Sequence, residues 1–140
     1  MEHSGTAGSS FASFDGSVYL VTAARTNSAR VDFIYYNQLG AHTLSSPNST
    51  FHTALETGWA TKNKTKIQRL TTITAAQFDE IEKDALIVEN VANITSEGVA
   101  QLAAGNILGF ITDGGKRGLI KVNSVNSPAN HINITVKVQK

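Results

Sequence analysis

The sequence predicts an α+β domain, mainly an antiparallel sheet with one or two short helices packed on one face or end. Three observations carry that prediction. The carboxy-terminal third alternates apolar and polar residues, most cleanly in "HINITVKVQ". There Ile132, Ile134, Val136 and Val138 face one way, and His131, Asn133, Thr135 and Lys137 the other, as in a sheet with one dry and one wet face. A helix signature stands in mid-chain at "TAAQFDEIEKDAL". No regular alternation of strand and helix runs along the chain, so a doubly wound parallel fold is set aside. The sheet is expected to be open or curled into a partial barrel.

The elements follow in order. Residues 1–10 are small and polar and read as a flexible leader, so the domain is placed at 11–140. "MEHSGTAGSSF" has no apolar stretch of the kind a signal peptide needs, and it fits a start left by trimming a precursor. Val18 to Ala23 is an apolar run suited to a buried strand. In "RVDFIYY", Val31, Phe33 and Tyr35 alternate with Asp32, Ile34 and Tyr36, which predicts a strand. Asn37 to Thr50 is rich in Gly, Ser, Asn and Pro and reads as a long loop. "KTKIQRL" suits an edge strand with its lysines in water.

Thr74 with Gln77 three residues on is a capping-box pattern, and Phe78 and Ile81 share a face, so a helix of about three turns is expected there. A shorter helix is expected at "SEGVAQLAAGN", opened by Ser96 and closed by Gly105. Ile107–Thr112 and Gly118–Val125 then read as hairpin arms, followed by the "NSPAN" turn and the last strand.

Composition narrows the function classes. A net charge of +1 with no block of like charges gives no footprint for nucleic acid or an anionic membrane. Cysteine is absent, which removes disulfides, thiolate metal sites and cysteine nucleophiles from this chain. No apolar run reaches the roughly 18–20 residues of a membrane span. His3, His42, His52 and His131 show no metal-ligand spacing, although His42 falls on the expected long loop and His52 just past its end. Asp15, Asp32 and Asp113 are widely separated, and no serine sits in a nucleophile elbow. No catalytic residue, metal ligand or cofactor is therefore assigned. Four Asn-x-Ser/Thr triplets, at Asn48, Asn63, Asn93 and Asn133, carry little weight in a chain so rich in Asn and Thr.

"DGGKR", Asp113 to Arg117, resembles a phosphate loop only superficially. Its glycines are adjacent and a β-branched segment follows where a phosphate loop needs a helix, so it reads as a hairpin tip. The residues singled out for ligand binding are Trp59, Tyr35 and Tyr36, whose rings combine apolar faces with polar tips. Trp59 also fits a core plug. Tyr35 and Tyr36, being consecutive on a strand, should face opposite sides, one in the core and one partly exposed.

The ending "GNILGFITDGGKRGLIKV" with "INITVKVQK", together with "DFIYY", "LSSP" and "AAQFDEI", resembles a family of small uncharacterised lipoproteins exported by Bacteroidetes. The resemblance touches most of the chain from Phe11 onward. It implies a small α+β domain in the periplasm or at the cell surface, anchored through a lipidated cysteine that this chain does not contain. Such proteins are often encoded near glycan-uptake systems. The expectation is a non-catalytic cell-envelope binding or accessory domain, with carbohydrate or an envelope protein as partner. The alternatives are a structural or protein-interaction domain and a small-molecule or lipid carrier.

Overall fold

The computed structural model describes residues 1–2, 6–38, 40–50 and 55–140, with the backbone alone at Gln38. His3 and His52 lie outside the described residues. The described chain forms β1 (Ser10–Ala12), β2 (Ser17–Tyr19), α1 (Val21–Thr26), β3 (Phe33–Gln38), β4 (Ala41–Ser45), β5 (Lys66–Leu70), α2 (Ala75–Glu80), α3 (Asp84–Asn90), β6 (Gly98–Val99), β7 (Ile107–Ile111), β8 (Arg117–Asn126) and β9 (His131–Val138). A 3-10 turn at Ser28–Arg30 leads into β3.

Two antiparallel sheets result, a five-stranded one in the order β2-β1-β3-β4-β6 and a four-stranded one in the order β5-β7-β8-β9. They touch at one margin, where the Ile67 amide donates to the Ser96 carbonyl at 2.8 Å. Among the described residues they do not close into a barrel. The predicted α+β class and its antiparallel sheet stand.

Period-two alternation explains the layering. Phe33 and Tyr35 of β3 point between the sheets and meet Phe11, Leu44, Leu108, Phe110, Ile120 and Val122 in the main core. Ile34, between them, points the other way and packs with Ala24, Val31 and Trp59. On the far face of the second sheet, Ile107 and Leu119 are covered by Phe78, Ile81, Ile87 and Val91 from α2 and α3. Each helix contributes a short apolar stripe, enough to bury one sheet face.

Several local expectations are corrected by tertiary structure. The capping box is present, with both the Thr74 side chain and the Gln77 side chain bonded as predicted. The helix does not run three turns, however: it ends at Glu80 and a separate helix starts at Asp84. The ammonium of Lys137, on β9, takes the carbonyls of Phe78, Asp79 and Ile81 at 2.8, 3.0 and 2.8 Å. Orphan carbonyls at a helix end need such partners, and this one comes from a strand 56 or more residues away.

The expected helix at "SEGVAQLAAGN" is instead β6 and a turn: Gly98 and Val99 pair with Ser45 and Leu44, and Leu102 donates to the His42 carbonyl. Val99 and Leu102 are buried in the main core, so their apolar spacing served a sheet margin. The apolar run Val18–Ala23 is split between β2 and α1, and Val18 and Leu20 are exposed, because β2 is a sheet edge and not a buried strand. The loop expected over Asn37–Thr50 contains the strand β4. Its polar residues His42, Thr43 and Ser45 are buried, so hydropathy concealed it.

The leader expected at residues 1–10 belongs to the fold in its described residues. Met1 exchanges two backbone hydrogen bonds with Ile132, at 2.7 and 2.9 Å, and Ser9 and Ser10 are buried.

Candidate functional site

The tip of the β7–β8 hairpin is a turn, held by the Gly115 amide on the Thr112 carbonyl (2.9 Å) and the Lys116 amide on Thr112 Oγ1 (3.0 Å). Gly115 has φ +85°, a region that only glycine enters freely. The tip has a second role. It forms one wall of an open cleft of about 780 Å³, lined by Ser13, Phe14, Arg30, Asp32, Asn63, Thr112, Asp113, Gly114 and Lys116 among others.

Loops joining strands build the other walls: the β1–β2 turn brings Ser13 and Phe14, the 3-10 turn brings Arg30, and the segment before β5 brings Asn63. Loops at the ends of a packed sheet pair are the usual place for such a site, because the sheets fix their positions.

The cleft combines one large apolar face with fixed polar groups. Phe14 is 82% exposed, the most exposed of the large apolar side chains among the described residues. Its ring carries the Arg30 guanidinium at 5.9 Å from the centroid, and Arg30 in turn pairs with Asp15. The Asp15 carboxyl is held below its usual range, first by its hydrogen bonds from Ser17 and then by Arg30.

Asp32 is only 8% exposed. Its Oδ2 accepts from the Ser13 amide at 2.7 Å and the Ser13 hydroxyl at 2.6 Å, whereas its Oδ1 accepts no hydrogen bond among the described residues. Asn63 is buried and donates to the Ala29 and Val31 carbonyls, which fixes its orientation and removes it as a glycan acceptor. Lys116 and Asp113 project from the same tip without an ion-pair partner among the described residues.

The rings singled out from sequence lie elsewhere. Trp59 is 8% exposed and plugs the small cluster of Ala24, Val31 and Ile34. One of the two tyrosines was expected to be partly exposed, but Tyr35 is in the main core and Tyr36 is also buried. The structure therefore does not gather the three on one wet surface. Phe14 was missed because a lone aromatic in a turn has no periodic signal; its polar neighbours in "SFDGS" were the available hint.

A polar relay crosses the main core. The Tyr35 hydroxyl lies 2.7 Å from His42 Nδ1, and His42 Nε2 lies 2.9 Å from Ser127 Oγ. Burial pushes the Tyr35 phenol up to about 12 and the His42 imidazole down, so both are neutral at pH 7. Among the described residues the Tyr35 proton has no acceptor other than Nδ1, so Nε2 carries the histidine proton and donates to Ser127. In that tautomer the basic nitrogen is occupied, and Ser127 gains a donor instead of losing a proton. The relay satisfies buried polar groups.

Among the described residues no cluster of three His, Asp or Glu side chains could hold a metal ion, and no helix is long and apolar enough to cross a membrane.

No protein-family model matches this chain, and no curated protein does. Among solved structures, the fold is similar to that of a DUF4466 family protein from Parabacteroides merdae ATCC 43184, with a TM-score of 0.66 and 17% identity. The match covers 97% of this chain and 51% of that one, so the chain spans about half the length of its structural neighbour. That neighbour belongs to an uncharacterised family and comes from the Bacteroidetes, in agreement with the source that the sequence resemblance implied.

Proposed function

We propose that this domain is a non-catalytic, exported cell-envelope binding module whose ligand is a carbohydrate seated in the loop cleft. The observation that carries this reading is the pairing of an exposed ring, Phe14, with a buried carboxylate, Asp32, that keeps one oxygen open. A sugar offers an apolar C–H face for stacking and hydroxyls that both give and take hydrogen bonds. Phe14 suits the first; Asp32 as acceptor and Lys116 and Arg30 as donors suit the second. The cleft is open to solvent, unlike the enclosed apolar cavity a lipid carrier needs. The position at the cell envelope is supported by the resemblance to exported lipoproteins.

Titration calorimetry after an oligosaccharide array tests the reading. Phe14→Ala should weaken the best ligand at least about tenfold, the value of one lost ring contact, with the unfolding midpoint unchanged. Silence across a broad array would sink the carbohydrate reading, and turnover of a bound oligosaccharide would overturn the non-catalytic one.

A second reading, a protein-interaction domain, is favoured by the outer edge of β9. Ile132 faces outward there to bond Met1, so by alternation the backbone groups of Ile134, Val136 and Val138 also face outward, and among the described residues no other strand pairs with them. A concentration-dependent mass by light scattering, abolished by Val136→Pro, would support it.

A further inference from the structure

One carboxylate lining the cleft is buried without a cation bonded to it among the described residues. Arg30 is neutralised by Asp15, and the opposite charges of Lys116 and Asp113 share one hairpin tip. That leaves the Asp32 carboxylate. It is nine-tenths buried, its only side-chain partner is neutral Ser13, and no cation is bonded to it among the described residues. Buried charges in proteins are paired, because a carboxylate taken out of water loses solvation that a hydroxyl and one amide only partly restore. Asp32 lines the cleft and its Oδ1 accepts no hydrogen bond among the described residues, so the missing partner is one that a ligand brings. Phe14 lines the same cleft, and an aromatic face attracts a cation as well as a sugar C–H face.

Building on the carbohydrate reading, we propose that the cleft takes an amino sugar, its protonated amine seated on Asp32 Oδ1 and its ring against Phe14. Asp32 is then the specificity-determining residue. It selects a free amine over a hydroxyl or an acetamido group, neither of which carries the charge the site lacks. Arg30 is kept from opposing the amine by its ion pair with Asp15.

The test is calorimetric titration of the whole chain with the β-1,4-linked tetramers of glucosamine, N-acetylglucosamine and glucose, with lysine amide as a control for a bare amine. The glucosamine tetramer should bind at least about tenfold tighter than the other two tetramers, as a charge-assisted hydrogen bond implies. That margin should vanish at a pH above the amine's titration.

Asp32→Asn keeps an acceptor for Ser13. It should fold with an unchanged unfolding midpoint and lose the preference for the glucosamine tetramer over the glucose tetramer. Equal binding of all three tetramers, or a preference untouched by Asp32→Asn, overturns the inference and leaves the carbohydrate reading standing. Lysine amide binding as tightly as the glucosamine tetramer overturns the sugar class. Failure of all three tetramers overturns the inference, and the array result then decides whether the carbohydrate reading falls with it.

Discussion

The ring of Phe110 lies directly over Gly118, its cross-strand partner in the β7–β8 ladder. A Cβ at Gly118 would stand 2.3 Å from Phe110 Cζ and 2.8 Å from the Lys137 carbonyl oxygen. The first contact could be relieved by turning the ring, but the second is to backbone of the neighbouring strand. Gly118→Ala should therefore destabilise the domain by about 2–3 kcal/mol, the cost of overpacking a filled core. A urea midpoint within experimental error of the wild type would refute this account of the glycine.

Lys137 joins the last strand to the middle of the chain. Its ammonium bonds the carbonyls of Phe78, Asp79 and Ile81 and lies 4.9 Å from the centroid of the Phe78 ring. Lys137→Met keeps the stem and removes the donors. The expected loss is about 1–2 kcal/mol, with faster amide exchange concentrated in α2. Uniform exchange across the fold would show that the lysine does not act as the cap of α2.

The same contact shows what was and was not legible in the sequence. The β7–β8 hairpin, β9 and the Thr74–Gln77 box were read correctly because their signals are local: alternation, a Gly-Gly tip and a three-residue capping spacing. The break between α2 and α3 was not, because the group that ends α2 comes from β9. β4 was hidden by His42, whose burial depends on hydroxyls at residues 35 and 127. The cleft was illegible for a related reason. Asp32 and Asp113 are 81 residues apart in sequence, and only the packing of the two sheets brings them to one wall.

Thr74 gives a local prediction. Its hydroxyl accepts from the Gln77 amide at 3.2 Å, and the Gln77 side chain accepts from the Thr74 amide at 2.8 Å. Thr74→Ala should cost about 1 kcal/mol, and Thr74→Ser should restore most of it. Equal stability of both variants would mean that the box adds nothing to packing.

Stability should fall on both sides of neutrality for two linked groups. Burial lowers the His42 imidazole in the folded state. As pH drops below about 6.5, the unfolded chain takes up a proton that the folded chain refuses, so stability is lost until the lower folded value is passed. The maximum slope for one proton is about 1.4 kcal/mol per pH unit. Tyr35 acts at the other end: its phenol is raised from 10.0 to about 12, so stability is lost as pH climbs between those values. Urea midpoints of the wild type and His42→Gln, compared from pH 7.5 to 5, should converge as the pH falls. Parallel curves would show that His42 is not the group responsible.

Trp59 and Phe14 should separate stability from binding. Trp59 is enclosed by Ala24, Val31 and Ile34, so Trp59→Ala leaves a cavity and should cost about 3–5 kcal/mol. Trp59→Phe fills most of that volume and keeps the fold. Since Trp59 lines no wall of the cleft, the phenylalanine variant should bind the tetramer that the wild type prefers within about twofold of wild-type affinity, about 0.4 kcal/mol. Phe14 is 82% exposed and buries little in the free protein, so Phe14→Ala should leave the urea midpoint unchanged and remove the binding. The reverse pattern, with affinity following Trp59 and stability following Phe14, would move the binding surface away from the loop cleft and onto the α1 face of the five-stranded sheet.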